Sequence, residues 1–458
     1  MLGLLSRACR VVAHHCADDY ACAIYHGITA MSTSASSDAP TKSVAWGGDD
    51  LIRHGTPAFR HTNLALFAAG FATFGLLYCV QPLMPQFSQH YGVSAAASAL
   101  SLSLTTGVLA FAMLFAGGVS DAWGRKSVMV ASLLSSAVLV LITALMPNWY
   151  ALLAIRTLLG LTLSGLPAVA MTYLSEEMHP ESIGLGMGLY ISGSAVGGMS
   201  GRLISGVVAD YFGWRAGVGV VGVVGLISGL VFWQALPTSR HFRPQALQWR
   251  ALFARFAGMF RDAGLPWLFA EGFLLLGAFV TVYNYLGYRL LAPPYNLSQT
   301  VVGLIFGIYL VGTFSSAWMG HLAGKLGRRK VLWTALALML FGVACTMMES
   351  LWLIIFGITA ITFGFFGGHS IVSSWVGRRG GAAKAQASSM YLFSYYMGSS
   401  VAGASGGLFY AAAGWNGVAW FVGALVLVGL LIALWLYRLQ PLPQIITPPT
   451  PMSKGAMP

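Results

Sequence analysis

The chain has 458 residues, of which 57% are hydrophobic and only 8% charged, with a mean hydropathy of +0.73. Soluble globular domains carry roughly 25% charged residues, so an ordinary water-soluble core is excluded. The formal charge of +12 would suggest nucleic acid as the partner of a soluble protein, but these cations fall between apolar runs, which assigns them to the anionic face of a lipid bilayer and leaves no nucleic-acid partner expected.

Residues 1–60 read as a disordered N-terminal extension. Five of the thirteen acids (Asp18, Asp19, Asp38, Asp49 and Asp50) lie in its first fifty residues, which leaves eight for the remainder of the chain. The Ser/Thr-rich stretch from Met31 looks like a natural start, so residues 1–30 read either as an over-extended start or as a targeting peptide. Cys9, Cys16 and Cys22, with His14 and His15, match no zinc spacing, and neither a metal nor a cofactor is expected. Beyond the extension, runs long enough to cross a bilayer, about 20 apolar residues each, are expected near 63–81, 98–117, 128–146, 151–172, 184–208 and 215–236. After a linker over 238–264 come 266–290, 301–323, 331–348, 351–376, 387–412 and 416–437. The Pro-rich residues 439–458 are expected to be disordered. The fold class is therefore an all-α membrane protein of twelve transmembrane helices, organised as bundles over 61–237 and 265–438.

The connections alternate in charge. One set holds Arg125 and Lys126; then Arg240, Arg243, Arg250, Arg255 and Arg261; then Lys325, Arg328, Arg329 and Lys330; then Arg378, Arg379 and Lys384. The other set, at 86–94, 147–150, 349–350 and 414–415, has no Lys or Arg, with Arg215 and Arg289 as exceptions. The positive-inside bias places both termini and the linker in the cytoplasm.

The halves also repeat. Gly117–Lys126 is answered by Gly320–Arg329 at a spacing of 203, Gly193–Gly201 by Gly398–Gly406 at 205, and Gly213-Trp214 by Gly414-Trp415 at 201. Such repetition implies six helices plus six, related by an axis along the membrane normal.

These motifs carry a family resemblance over roughly residues 60–437. The chain resembles the major facilitator superfamily. The stretches from Tyr173 to Pro180, Gly193 to Gly201, Phe269 to Phe273 and Tyr391 to Tyr396 resemble its bacterial sugar/drug efflux permease branch, the arabinose-efflux, YnfM-type inner-membrane transporters. The resemblance implies a bacterial inner-membrane protein with two pseudo-symmetric six-helix bundles, working as a monomer.

Several residues stand out as chemistry. The glycines Gly117 and Gly124 permit a tight turn, Arg125 and Lys126 stay at headgroup level, and Asp121 can accept hydrogen bonds when the bundles close on the cytoplasmic side. That makes Asp121 a candidate conformational latch, and Gly324 stands at its counterpart in the second copy. Arg156 matches the family's fourth-helix arginine, whose implied role is proton coupling or recognition of substrate charge. Gly193, Gly197 and Gly201 share one helix face, a surface for close helix packing. That segment resembles the exporters' antiporter motif, with Gly198 where proline is usual and Arg202 where glycine is usual. Arg202 either brackets an anionic group together with Arg156 or pairs with Asp210. Glu271 in the seventh span and His369 in the tenth are candidate proton-coupling groups at comparable depth. Tyr78, Gln81, Tyr283, Asn284 and Trp375 are candidate cavity residues, while Glu176, Glu177 and His179 are expected to brace the loop after the fourth span. The first span, where related drug exporters often hold an acid, has none.

Gly217, Gly219 and Gly222 mimic a dinucleotide fingerprint but lie within a span with no preceding strand, so they read as packing glycines. Gly320–Lys325 lacks the Walker spacing, and no catalytic constellation argues for an enzyme. The expected activity is proton-coupled efflux (antiport) of a small solute such as a sugar or drug-like compound. The alternatives are an importing symporter and a membrane receptor.

Overall fold

The computed structural model describes residues 51–242, 254 and 256–439. The expected extension up to residue 50, the tail from 440, and Arg243, Arg250 and Arg255 of the linker lie outside the described residues. Among those described, helices account for nearly everything, and the one β-type pairing is a bridge between Ile52 and Met178. That bridge, with the helix that starts at Pro57, shows residues 51–60 of the expected disordered extension to be ordered: Ile52 donates to the Glu177 carbonyl at 2.9 Å and accepts from His179 at 3.0 Å, at the end of the fourth span.

Ten helices are long and apolar enough to cross a bilayer. Two of them, Pro180–Ala235 and Lys384–Arg438, are 56 and 55 residues long and break midway, at Gly213 and at Ala413–Gly414. Each therefore crosses twice, and the described residues hold twelve crossings. The first span is Pro57–Tyr78 and the second Ala95–Trp123. The third is Arg125–Leu145, and the fourth is Trp149–Leu163 continued by Gly165–Glu177. Pro180–Ala235 supplies the fifth and sixth. The seventh is Leu265–Leu291, and the eighth runs from Gln299 to Leu326 with a 3₁₀ turn at Phe306–Ile308. The ninth is Arg328–Thr346, the tenth Leu351–Gly380, and Lys384–Arg438 supplies the last two.

The helix starts follow from local chemistry. Thr56, Ser94, Asn148 and Ser298 each stand just ahead of a helix and accept from the amide three residues on, at 3.2, 3.1, 2.9 and 3.3 Å. These caps satisfy amides that a helix terminus leaves without a partner. Pro57 occupies the first helical position, where its missing N–H loses nothing. The first helix also ends earlier than expected, at Tyr78. Pro82 and Pro85 cannot donate to carbonyls one turn back, so the chain passes through a 3₁₀ turn at Gln81–Leu83 into the short helix Met84–Tyr91. Gln81 thus lies on a turn rather than within the span.

The repeat seen in the sequence is a repeat in backbone shape. Gly124 and Gly327 turn the two hairpins with φ of +93° and +95°, a region that side chains disfavour. The fifth span lays its glycine face on the first: a methyl group on Gly201 would sit 2.6 Å from Gly75 Cα, and one on Gly193 would sit 2.9 Å from Phe67 Cα. Gly197 meets the Phe71 backbone in the same way. In the second bundle Gly398 of the eleventh span packs on Phe273 of the seventh, with a would-be Cβ 2.8 Å from Phe273 Cα. In lipid, where apolar area alone gives helices little reason to associate, such backbone-to-backbone contact is the main source of packing energy.

The hydrogen bonds that tie the bundles together are unevenly placed. Among the described residues they all lie between mid-molecule and the end remote from the Gly124 and Gly327 hairpins. Tyr288 donates to the Met84 carbonyl (2.9 Å) and its hydroxyl also meets Ser88 Oγ (2.6 Å). Gln299 donates to the Pro82 carbonyl, the Thr300 amide to Asp210 (3.1 Å), and Ser400 to the Ser103 carbonyl (2.7 Å). Phe111 and Phe393, 5.1 Å apart, meet on the hairpin side of these ties.

Candidate functional site

At the seam between the bundles a polar chain crosses from one to the other. Arg202, on the fifth span and 2% exposed, donates through Nε to Gln81 Oε1 (2.6 Å) and through Nη1 to the Gly198 carbonyl one turn back (2.6 Å). Gln81 Nε2 in turn donates to Asn284 Oδ1 on the seventh span at 2.7 Å. Aromatic rings enclose the guanidinium: its carbon lies 4.1 Å from the Tyr78 ring centroid, 4.7 Å from that of Tyr309 and 5.4 Å from that of Phe306. Cation–π contacts of this kind, desolvated, stabilise a charge by about 2 kcal/mol. The 3₁₀ turn in the eighth span brings Phe306 and Tyr309 to Arg202. Behind them Tyr283 bonds Thr362 at 2.8 Å and packs on Phe279, Phe306 and Tyr309.

Arg202 does not pair with Asp210. The latter is exposed and accepts from the Thr300 amide at the far end, whereas Arg202 turns inward to Gln81. Arg156 does not face the seam either. It is 0% exposed and spends its guanidinium on three backbone carbonyls: Ser101 at 2.8 Å, Leu77 at 2.8 Å and Leu76 at 3.3 Å. The last two belong to the carboxyl end of the first helix, where four carbonyls lack intrahelical partners and carry partial negative charge. Arg156 fastens the first, second and fourth spans together.

Glu271 is 0% exposed, and neither carboxylate oxygen has a hydrogen-bond partner. Its Oε2 lies beside the twelfth span, where a methyl group on Gly429 would be only 3.2 Å away. His369 is half-buried and bonds the Tyr391 hydroxyl through Nδ1 at 2.8 Å; no hydrogen bond joins it to Glu271. Tyr391 stands between them, its ring against Gly272, the residue after Glu271. His369 further stacks on Phe365 (6.1 Å) and lies 4.6 Å from the Tyr395 ring. Trp375 is buried six residues further along the tenth span, outside this hydrogen-bonded set.

At the hairpin end the candidate latch forms a network within the first bundle. Arg125 grips Glu176 of the fourth span bidentately, at 2.7 and 3.0 Å, and bonds Asp121 at 2.5 Å and Ser120 at 3.2 Å. Lys126 donates to the Leu236 carbonyl. Gly117 has open space around it. Glu177 holds the His241 amide and ring at 2.9 and 3.0 Å, which braces the start of the linker. The second copy differs: among the described residues Arg328 bonds only Ser374 Oγ, at 2.9 Å. The acid of that end is Asp262, ahead of the seventh span, which meets Arg379 at 2.8 and 2.9 Å and caps the Gly264 and Leu265 amides. Burial alone would raise the Asp262 carboxyl, but the bonds from Arg379 and the two amides hold it below the usual carboxylate range.

Sequence reasoning missed four participants: Glu176 as the partner of Arg125, Phe306 and Tyr309 around Arg202, and Tyr391 beside His369. The run of hydroxyls at 98–106 in an otherwise apolar span was a signal for Ser103, whose Oγ is buried without a partner near Asn284.

Comparison with known proteins agrees with the fold. The family model described as "Major Facilitator Superfamily" matches residues 66–295 and 274–454. The chain is 50% identical over 410 residues to the inner membrane transport protein YnfM of Escherichia coli (strain K12), covering 90% of this chain and 98% of that one. It is 48% identical over 385 residues to the uncharacterised MFS-type transporter YybF of Bacillus subtilis (strain 168), covering 84% and 94%. Among solved structures, a bacterial homologue of the human lysosomal transporter Spinster, in an inward-facing, unoccupied conformation, superposes with a TM-score of 0.69 at 15% identity, over 83% of this chain and 96% of that one. The nucleoside transporter NupG gives 0.67 at 15%, over 82% and 100%. With its twelve crossings, its repeated glycine hairpins and these matches, the chain belongs to the major facilitator superfamily of membrane transporters.

Proposed function

We propose that the protein is a secondary exporter that exchanges protons for a small organic solute by rocking its two bundles about the Arg202–Gln81–Asn284 seam. The uneven placement of the inter-bundle ties carries this reading. With the hairpins cytoplasmic, as the charge pattern argues, the ties close the periplasmic half, and the solute enters from the cytoplasm. Breaking those ties and closing the hairpin end would expose the same seam to the other side. In that second state Asp121, now turned to Arg125 in its own bundle, would face the incoming second bundle as the latch.

Glu271 supplies the coupling. A charged carboxylate with no partner inside the membrane costs at least about 3 kcal/mol, whereas the neutral acid avoids that cost. Glu271 therefore holds a proton in the packed state, and loses it only when the cavity admits water or a cation to its side. His369, half-buried and hydrogen-bonded to Tyr391, relays between the cavity and that wall. A functional monomer suffices, since each bundle contributes to one seam.

Counterflow in proteoliposomes tests the transport reading. Preloaded unlabelled solute should drive transient accumulation of labelled solute, and reversing the pH gradient should reverse the direction of net flux for an antiporter. Flux that follows the proton gradient in the same direction would establish a symporter instead.

A further inference from the structure

Among the described residues Arg202 is a buried cation without a counter-ion. Its partners there are a neutral amide oxygen, a backbone carbonyl and aromatic faces, and no carboxylate forms an ion pair with it. Among the described residues the one acid buried deep within a span, Glu271, lies against the twelfth span, and Asp210 is held by Thr300. Nη2 makes no hydrogen bond among the described residues, so one edge of the guanidinium is free for a further acceptor.

Polar atoms without partners gather around the same seam. Asn284 Nδ2, Ser103 Oγ and the Tyr309 hydroxyl are all buried and unbonded. The first two converge on Gly403 of the eleventh span: a Cβ there would lie 3.2 Å from Asn284 Nδ2 and 3.3 Å from Ser103 Oγ. Because Gly403 has no side chain, both unused donors stay uncrowded on that side; any larger residue would press on them. A buried donor without a partner has given up its hydration for nothing, so a ligand that satisfies these donors recovers that cost.

We infer that the transported solute carries an anionic group, a carboxylate or one of like charge and size, and that this group takes the place of Gln81 on Arg202. The inference rests on the exporter reading and names the substrate class of its site. A carboxylate brings opposite charge and a second oxygen for a bidentate bond, neither of which the neutral amide oxygen of Gln81 offers, so the exchange favours the anion. It also has a mechanical consequence. Gln81 is the middle link between Arg202 and Asn284, so releasing it from Arg202 loosens the polar chain that crosses the bundles. A neutral solute offers Arg202 no more than Gln81 already does.

The test uses the full-length protein in detergent. Its thermal unfolding is followed with small carboxylates, each paired with a neutral isostere: arabinonate with arabinose, benzoate with benzamide, succinate with succinamide. At least one carboxylate should stabilise the protein while its isostere does not. Arg202→Gln should weaken that stabilisation at least tenfold in concentration. Gln81→Leu should strengthen it about fivefold, since no hydrogen bond must then be displaced. The second variant keeps the arginine and its aromatic cage, so the inference can fail even where Arg202→Gln does not fold. Overturning results are equal stabilisation by the neutral members, no stabilisation by any carboxylate, or unchanged or weakened carboxylate binding in Gln81→Leu. Because binding is read without transport, failed counterflow leaves this result untouched. A panel that selects neutral solutes would sink the anion assignment and leave the exporter reading standing.

Discussion

Replacing Gly201 by alanine probes the contact that sets the first bundle's geometry. The added Cβ would lie 2.6 Å from Gly75 Cα and 2.7 Å from Gly75 O. An unstrained contact between carbons is about 3.5–4.0 Å, so the first and fifth spans must part by about 1 Å. Neither clashing atom belongs to a flexible side chain that could swing away. Overpacking of this kind costs about 1–3 kcal/mol. Alanine also favours a helix by up to about 1 kcal/mol over glycine, which works in the opposite direction. Gly188→Ala supplies that gain alone, because Gly188 sits on the same helix with nothing within 4 Å of its would-be Cβ. The difference between the two variants isolates the packing cost. For a body of about 200 residues, 1 kcal/mol shifts the melting temperature by about 2–4 °C, so Gly201→Ala should melt roughly 5 °C below Gly188→Ala. Intrinsic tryptophan fluorescence during heating of the detergent-solubilised protein reads this directly. Equal melting temperatures would refute backbone contact as the source of packing.

Three further outcomes follow from the site. Asp121→Asn should insert and fold normally, since a partly exposed ion pair contributes about 1 kcal/mol or less, yet transport in vesicles should fall about fivefold; unchanged transport would remove the latch. Arg156→Lys should lower stability by about 2–4 kcal/mol, because an ammonium cannot reach three carbonyls and leaves buried acceptors unpaired; heating curves at fixed pH measure it, and a selectivity change without destabilisation would contradict the fastening role. Asp262→Asn should be less stable than wild type near neutrality. The depressed Asp262 carboxyl contributes stability that is present above the unfolded value of about 3.9 and lost as pH falls through the folded one, so the two proteins should converge in acid below about pH 4. A gap that persists there would contradict the assignment.

The sequence revealed the global architecture because the bilayer makes it cheap to read. Span length, cation placement and glycine turns are each local properties, and Gly124 and Gly327 show them as matching backbone angles. The glycine face at Gly193, Gly197 and Gly201 was legible for the same reason, although its partner, the first span, was not. Side-chain pairings were less accessible. Pro82 and Pro85 place a break just after residue 81, but the helix ends three residues sooner, at Tyr78, so Gln81 lies on the turn that bridges the bundles instead of in a helix. Arg202 was visible as an intramembrane cation, but its cage depends on a 3₁₀ turn at Phe306, more than a hundred residues away. Glu271 and His369 share a depth, and depth alone cannot say that Tyr391 stands between them. The grip of Arg125 on Glu176 joins two helix ends that no periodicity connects.

Glu271→Gln in proteoliposomes tests the central claim most directly. Wild-type flux of a transported solute should rise when the proton gradient opposes solute movement, as exchange requires. The glutamine variant, which keeps the shape and mimics the protonated acid, should still bind solute and exchange it at equilibrium, but its flux should be flat across imposed pH gradients. A variant whose flux follows the gradient as the wild type does would contradict coupling through Glu271.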